Sequence, residues 1–188
     1  MRNNFKRSNA GFSLVEILVV IAIMGVLMGG SLITYYTVSS NNVKKSAGFI
    51  SDAMTECRSR AMTTQAESWE VRITKENVKV YKVEPSGSEL LIVGNDLPKH
   101  VAVSLVQGGT GTEYDLFDAT SGYDSIVITY KLLSGEINTV KAYKAGAENV
   151  IYDGSQDVSY FDIVCDYENK KSRSLRAYYT TGKHVTLK

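Results

Sequence analysis

Few side chains in this 188-residue chain could do chemistry. The most conspicuous is Glu16, a lone carboxylate inside the apolar run Gly11-Phe12-Ser13-Leu14-Val15-Glu16-Ile17-Leu18-Val19-Val20-Ile21-Ala22-Ile23-Met24-Gly25-Val26-Leu27-Met28. An ionisable group within a membrane segment costs about 2.5–3.5 kcal/mol on insertion scales, so it marks a specific interaction rather than filler. One local explanation is that position 16 lies near the helix start, among headgroups and at the positive end of the helix dipole. The other is a charged partner within the apolar layer.

The remaining inventory offers little for catalysis. Cys57, Cys165, His100 and His184 are the chain's only cysteines and histidines, and neither histidine sits in a recognisable partner motif. There is no Gly-x-Ser-x-Gly elbow, phosphate-cradling loop or His/Cys metal cluster. No catalytic residue, metal ligand set or cofactor is therefore expected, and the chain reads as not an enzyme. Asp115, Asp118 and Asp124 share one loop with Gly122 and could present oxygens to Ca²⁺, but their spacing is not that of a dedicated calcium loop. Turn capping accounts for the same residues.

A second chemistry lies near the C-terminus. Residues 166–188 hold six basic side chains, Lys170, Lys171, Arg173, Arg176, Lys183 and Lys188, against Asp166 and Glu168. A hairpin there is expected to turn Leu175, Ala177, Tyr179, Val185 and Leu187 inward and Arg176, Tyr178, His184, Thr186 and Lys188 outward. Arg173, Arg176, Tyr178, Lys183, His184 and Lys188 would then form a basic face with an aromatic among the charges. Such a face could hold a phosphate backbone and stack a base, which makes DNA an alternative partner. A solvated edge whose lysines discourage strand-to-strand aggregation fits the same residues.

The elements that must position these groups follow from the patterning. No charged residue occurs between Glu16 and Lys44. About 20 helical residues at about 1.5 Å each are enough to cross a hydrocarbon core about 30 Å thick. Upstream, Arg2, Lys6 and Arg7 are unopposed by any acid and should hold that end in the cytoplasm. A secretory signal would place an A-x-A-like cleavage site after the apolar stretch, and none follows, so the helix is expected to stay with the mature protein. Without the three leader charges the chain has 18 basic against 20 acidic residues, a balance that does not point to nucleic acid.

Further along, Val43, Ala47, Ile50, Met54, Cys57 and Ala61 recur at helical spacing and make one apolar stripe on a polar helix. From residue 69 the pattern turns to β, with strands expected over 69–74, 78–84, 90–93, 101–106, 125–133, 137–144, 158–165, 173–179 and 183–187. Pro85-Ser86-Gly87-Ser88, Ser134-Gly135, Asp153-Gly154 and Thr181-Gly182 punctuate them as turns. The fold class is α+β: a long N-terminal helix, membrane-spanning in its first half and amphipathic in its second, packed on one or two antiparallel sheets. Cys57 on the stripe and Cys165 beside Phe161 and Ile163 both point toward a core. They would form either one disulfide, permitted outside the cytoplasm, or two buried thiols.

The basic leader, Gly11, Phe12, Glu16 five residues into the remainder and the long apolar helix together resemble a type IV prepilin, the precursor of pilins and pseudopilins. The segment 53–71, with Cys57-Arg58-Ser59-Arg60-Ala61-Met62, and the final hairpin resemble minor pseudopilins of the H type. The resemblance implies that a prepilin peptidase cuts between Gly11 and Phe12 and methylates the Phe12 amine, and that Glu16 meets the N-terminal amine of an adjacent subunit. Domain limits follow: leader 1–11, filament-core helix 12–38, amphipathic helix 39–66 and globular domain 67–188. The implied partners are membrane lipid before assembly, other pilin or pseudopilin subunits, the peptidase and an inner-membrane assembly platform. The implied place is the cytoplasmic membrane with the C-terminal domain outside, then a surface or periplasmic filament. Some H-like minor pilins act as DNA receptors, which is the alternative that the basic hairpin keeps open. Many major pilins carry a proline lower in this helix, where this chain has Ile33.

Overall fold

The computed structural model describes residues 12–64, 68–117, 122–168 and 171–187, with the backbone alone at 31–33. Gly11, Lys170 and Lys188 of the sequence-based assignments lie outside those residues, as does Asp118. One helix, α1 (Leu14–Thr63), is followed by eleven strands, and the chain divides into two compact units meeting at Val38 and Ser39.

In the first unit the helix is apolar all round. Leu14, Val15, Leu18, Ile21, Val26 and Leu27 are exposed, and an apolar surface all round a helix suits lipid or a bundle of like helices. Ser13 begins it, and Thr34 returns its hydroxyl to the Gly30 carbonyl at 3.1 Å.

In the second unit the remainder of α1 changes to a one-sided stripe. Val43, Ala47, Ile50, Met54, Cys57 and Ala61 are all buried, as the spacing predicts. Complete burial of Ile50 and Met54 contributes roughly 1.5–3 kcal/mol each. The helix end is tied down chemically. Leu133 donates its backbone N–H to the Ala61 carbonyl at 2.9 Å. Thr64 donates its hydroxyl to Arg60 at 2.6 Å and accepts from the Trp69 indole at 2.7 Å, so the last turn is fixed to the first strand.

The strands are β1 (Ser68–Thr74), β2 (Asn77–Val83), β3 (Glu89–Asp96), β4 (Val101–Gln107), β5 (Glu113–Asp115), β6 (Ser125–Tyr130), β7 (Ile137–Lys144), β8 (Ala147–Tyr152), β9 (Tyr160–Tyr167), β10 (Lys171–Tyr178) and β11 (His184–Leu187). They form two antiparallel sheets, β3-β2-β1-β6-β7-β8 and β11-β10-β9-β4-β5. Period-2 burial is clearest in β1, where Trp69, Val71 and Ile73 are inside, and in β9, where Phe161, Ile163, Cys165 and Tyr167 are inside. The sheets are joined where Tyr152, the last residue of β8, stacks on Tyr179 at 3.7 Å and where the Gln107 amide donates to the Ile151 carbonyl at 3.2 Å. Ile137 also donates its backbone N–H to the Tyr179 carbonyl at 3.0 Å.

Two strands are absent from the sequence reading, and one assignment runs too far. β5 has only three residues, too few to show alternation. β8 follows a turn with positive φ at Ala145 and Gly146, and Ala is not a residue that advertises that conformation. The strand expected over 125–133 stops at Tyr130, because the chain turns there and Leu133 takes φ +67°.

Candidate functional site

At the N-terminal end Phe12 is 81% exposed. Ser13 and Glu16 close on each other: the Glu16 N–H donates to Ser13 Oγ at 3.1 Å, and the Ser13 N–H donates to Glu16 Oε2 at 3.3 Å. This reciprocal pair is a capping box, which satisfies two of the four backbone donors that a helix start leaves unpaired. The Ser-x-x-Glu spacing of residues 13–16 is the sequence signal for this cap, a role distinct from a dipole or partner charge. The carboxylate has a local acceptor role and, being exposed, keeps lone pairs for a second donor. Around it Leu14, Val15, Ile17, Leu18, Val20 and Ile21 are all exposed and form the apolar surface on which like helices could pack. Gly25, Gly29 and Gly30 add open, shallow positions, since a Cβ at any of them would meet no other atom within 4 Å.

The two cysteines are free and wholly buried. Burial pushes the Cys165 thiol up to about 12, and burial, with Glu70 and Glu56 behind it, pushes Cys57 up further. Both therefore act as small apolar side chains rather than nucleophiles at neutral pH.

The basic hairpin departs from its expected facing. Across the β10–β11 pair Ala177 lies opposite His184 and Arg176 opposite Val185. Opposed residues share a face, so His184 turns inward with buried Ala177 and Val185 turns outward with Arg176, the reverse of the sequence reading. His184 Nε2 is hydrogen-bonded to Ser51 Oγ of α1 at 2.9 Å, with Thr55 Oγ1 at 3.5 Å. Its Nδ1 is buried without a hydrogen-bond partner among the described residues. Burial, then the nearby Arg58 charge, lowers its pKa from the ordinary value.

Arg176 is not free for a phosphate. Its Nε and Nη2 each lie 2.8 Å from an Asp162 carboxylate oxygen, and its guanidinium stacks 3.9 Å over the Tyr160 ring. Tyr178 is part-exposed on the same face, Arg173 lies on the opposite one, and Lys183 projects from the turn. The five of these residues that the structure describes, Arg173, Arg176, Tyr178, Lys183 and His184, therefore do not gather into one phosphate-tracking surface. Asp115 and Asp124 behave as turn acceptors, taking the N–H of Phe117 at 2.7 Å and of Ala145 at 2.6 Å. Among the described residues no cluster of histidine, cysteine or carboxylate could hold a metal ion.

With this geometry in place, residues 6–32 match the family described as the prokaryotic N-terminal methylation motif. The matched stretch contains Gly11, Phe12, Ser13 and Glu16 and runs into the exposed apolar helix. Among solved structures, the minor pseudopilin EPSH from the type II secretion system of Vibrio cholerae is similar at 15% identity, with a TM-score of 0.40, over 72% of this chain and 94% of that one. No curated protein matches the chain.

Proposed function

We infer that this chain, a type IV pilin-like protein by its N-terminal methylation motif, works as a minor pilin or pseudopilin: a membrane-anchored subunit that joins a filament through its first helix. The observation that carries the reading is the motif over residues 6–32 joined to a helix whose apolar side chains from Leu14 to Met24 are exposed. Lipid covers those side chains before assembly, and neighbouring helices cover them afterwards.

In this reading a prepilin peptidase cuts between Gly11 and Phe12 and methylates the new amine. Glu16 then serves as the register contact. An amine of a neighbouring subunit pairs with it only at one axial offset, and any other offset leaves a desolvated charge unpaired. The folded β domain stays outside the cytoplasmic membrane and meets other subunits, in either a pilus or a secretion pseudopilus. The assembly platform in the membrane is the remaining partner.

The test is co-expression of the full-length protein with and without a prepilin peptidase, followed by intact-mass and N-terminal analysis. A chain shortened by residues 1–11 and carrying a methylated Phe12 is the expected product. An uncut chain, or one cut after the apolar run, overturns the assignment.

A further inference from the structure

We propose that a recess between α1 and β10 is a phosphate pocket for the headgroup of an anionic membrane lipid, an inference that rests on the membrane-anchored reading above. The recess, of about 270 Å³, is lined by Ser40, Val43 and Lys44 of α1 and by Lys171, Ser172 and Arg173 of β10. Three of these side chains are cationic, two carry hydroxyls and none is acidic.

Arg173 is the most informative of them. Alternation along β10 sets it on the face of Leu175 and Ala177, both fully buried. Its Nε is closed off from solvent and has no hydrogen-bond partner among the described residues. The other described arginines all have acceptors: Arg58 the Gly135 and Thr181 carbonyls, Arg60 Glu56, Arg72 Glu70 and Glu89, and Arg176 Asp162. A buried guanidinium N–H facing no acceptor is costly and rare, and an external oxyanion relieves it. Phosphate fits the surroundings, since a guanidinium fork presents parallel donors, lysines add point charges and the Ser40 hydroxyl can donate to a remaining oxygen.

Chain order identifies the source of that phosphate. Ser40 and Lys44 follow Val38, the end of the apolar stretch 12–38, by two and six positions, and Lys44 is the first charged residue after Glu16. Phosphate is concentrated where a spanning segment leaves the hydrocarbon, and basic side chains there are attracted to anionic lipids. Val43 gives the recess an apolar wall against which a glycerol backbone can lie. A choline headgroup would bring a further cation among three existing ones, so the pocket discriminates against zwitterionic lipid.

The test uses the full-length chain in neutral detergent, with native mass spectrometry counting retained lipids after equal additions of phosphatidylglycerol and phosphatidylcholine. We expect a preference for phosphatidylglycerol of about fivefold or more, removed by Arg173→Gln and weakened by Lys44→Gln, on the scale expected for one cation at an anionic surface. Lys44 is exposed, so its variant keeps the test informative if the Arg173 variant loses its fold by circular dichroism. Lys183→Gln, an equal charge change outside the recess, should leave the preference unchanged. Equal retention of the two lipids overturns the proposal, as does a loss with Lys183→Gln as large as with Arg173→Gln. Displacement by inorganic phosphate at lower concentration than a short-chain phosphatidylglycerol overturns the lipid as the source. A chain cleaved by the peptidase but lacking the lipid preference sinks the pocket alone; an uncleaved chain that keeps the preference sinks the pilin reading alone.

Discussion

His184 shows how much one ring's environment matters. The ring is half-buried between β11 and α1, where Ser51 and Thr55 offer hydroxyls, Arg58 opposes a positive ring and Asp52 weakly favours one. Desolvation dominates, so the folded state binds a proton less readily than the unfolded chain, whose histidine titrates near the ordinary 6.5. Stability then rises with pH wherever the unfolded state holds more protons. The contribution of His184 is therefore fully present above about pH 6.5 and is lost as pH falls below it. Thermal melts between pH 7.5 and 5.5 should show a decline in wild type that is smaller in His184→Gln, a window above the carboxylate range. Parallel declines in the two proteins would show that the ring carries no such linkage. The sequence placed this histidine in the right hairpin and on the wrong face, because a two-residue period gives the alternation of a strand but not its phase. The phase is set by how the turn closes.

At the scale of elements, that turn is held by backbone geometry at Gly182 and Gly135, two glycines that the sequence marks as turn residues, although the sequence does not show that they meet. Gly182 takes φ +61°, and a Cβ there would run into the Gly135 carbonyl oxygen, while Gly135 itself takes φ +67°. Arg58 Nε lies 3.2 Å from both the Gly135 and Thr181 carbonyls, so one side chain of α1 ties the β6–β7 and β10–β11 connections together. Gly182→Ala should therefore cost about 2 kcal/mol or more, combining left-handed backbone strain with a clash against main chain. Gly146→Ala, with φ +80° but open space around it, isolates the strain component. Melting temperatures of the two variants compare them directly, and equal shifts would mean that the approach of Gly182 to Gly135 is not tight. Most of the elements themselves were legible. All six residues of the stripe from Val43 to Ala61 are buried, joined on that helix by Ser39, Ser46 and Ala53, which the stripe leaves out, and nine of the eleven strands correspond to apolar, β-branched runs. Hidden from the sequence were β5, too short for a period, and β8, reached through Ala145 in a conformation that Asn or Gly would have signalled. The division of the strands into two sheets was also hidden, since it depends on which edges meet and not on any one strand.

At the scale of the whole molecule, the two units hold their apolar residues differently: from Ser39 onward most are buried, with Leu90, Leu91, Leu133 and Val185 among the exceptions, whereas Leu14 to Met28 present theirs outward. What the sequence conveyed about function lay almost wholly in residues 6–32, and within them the double use of Glu16 became visible only with the Ser13 contacts. That double use allows a separation by mutation. Ser13→Ala and Glu16→Ala each break the capping box and should cost helix stability similarly, by about 0.5–2 kcal/mol. Only Glu16→Ala also removes the carboxylate that a neighbouring amine would meet. Peptidase cleavage should therefore proceed in both variants, while incorporation into sheared filaments, followed by immunoblot, should fall severely for Glu16→Ala and stay near wild type for Ser13→Ala. Equal losses would reduce Glu16 to a cap and move the register contact elsewhere on the helix. Full incorporation of Glu16→Ala would remove the register role altogether.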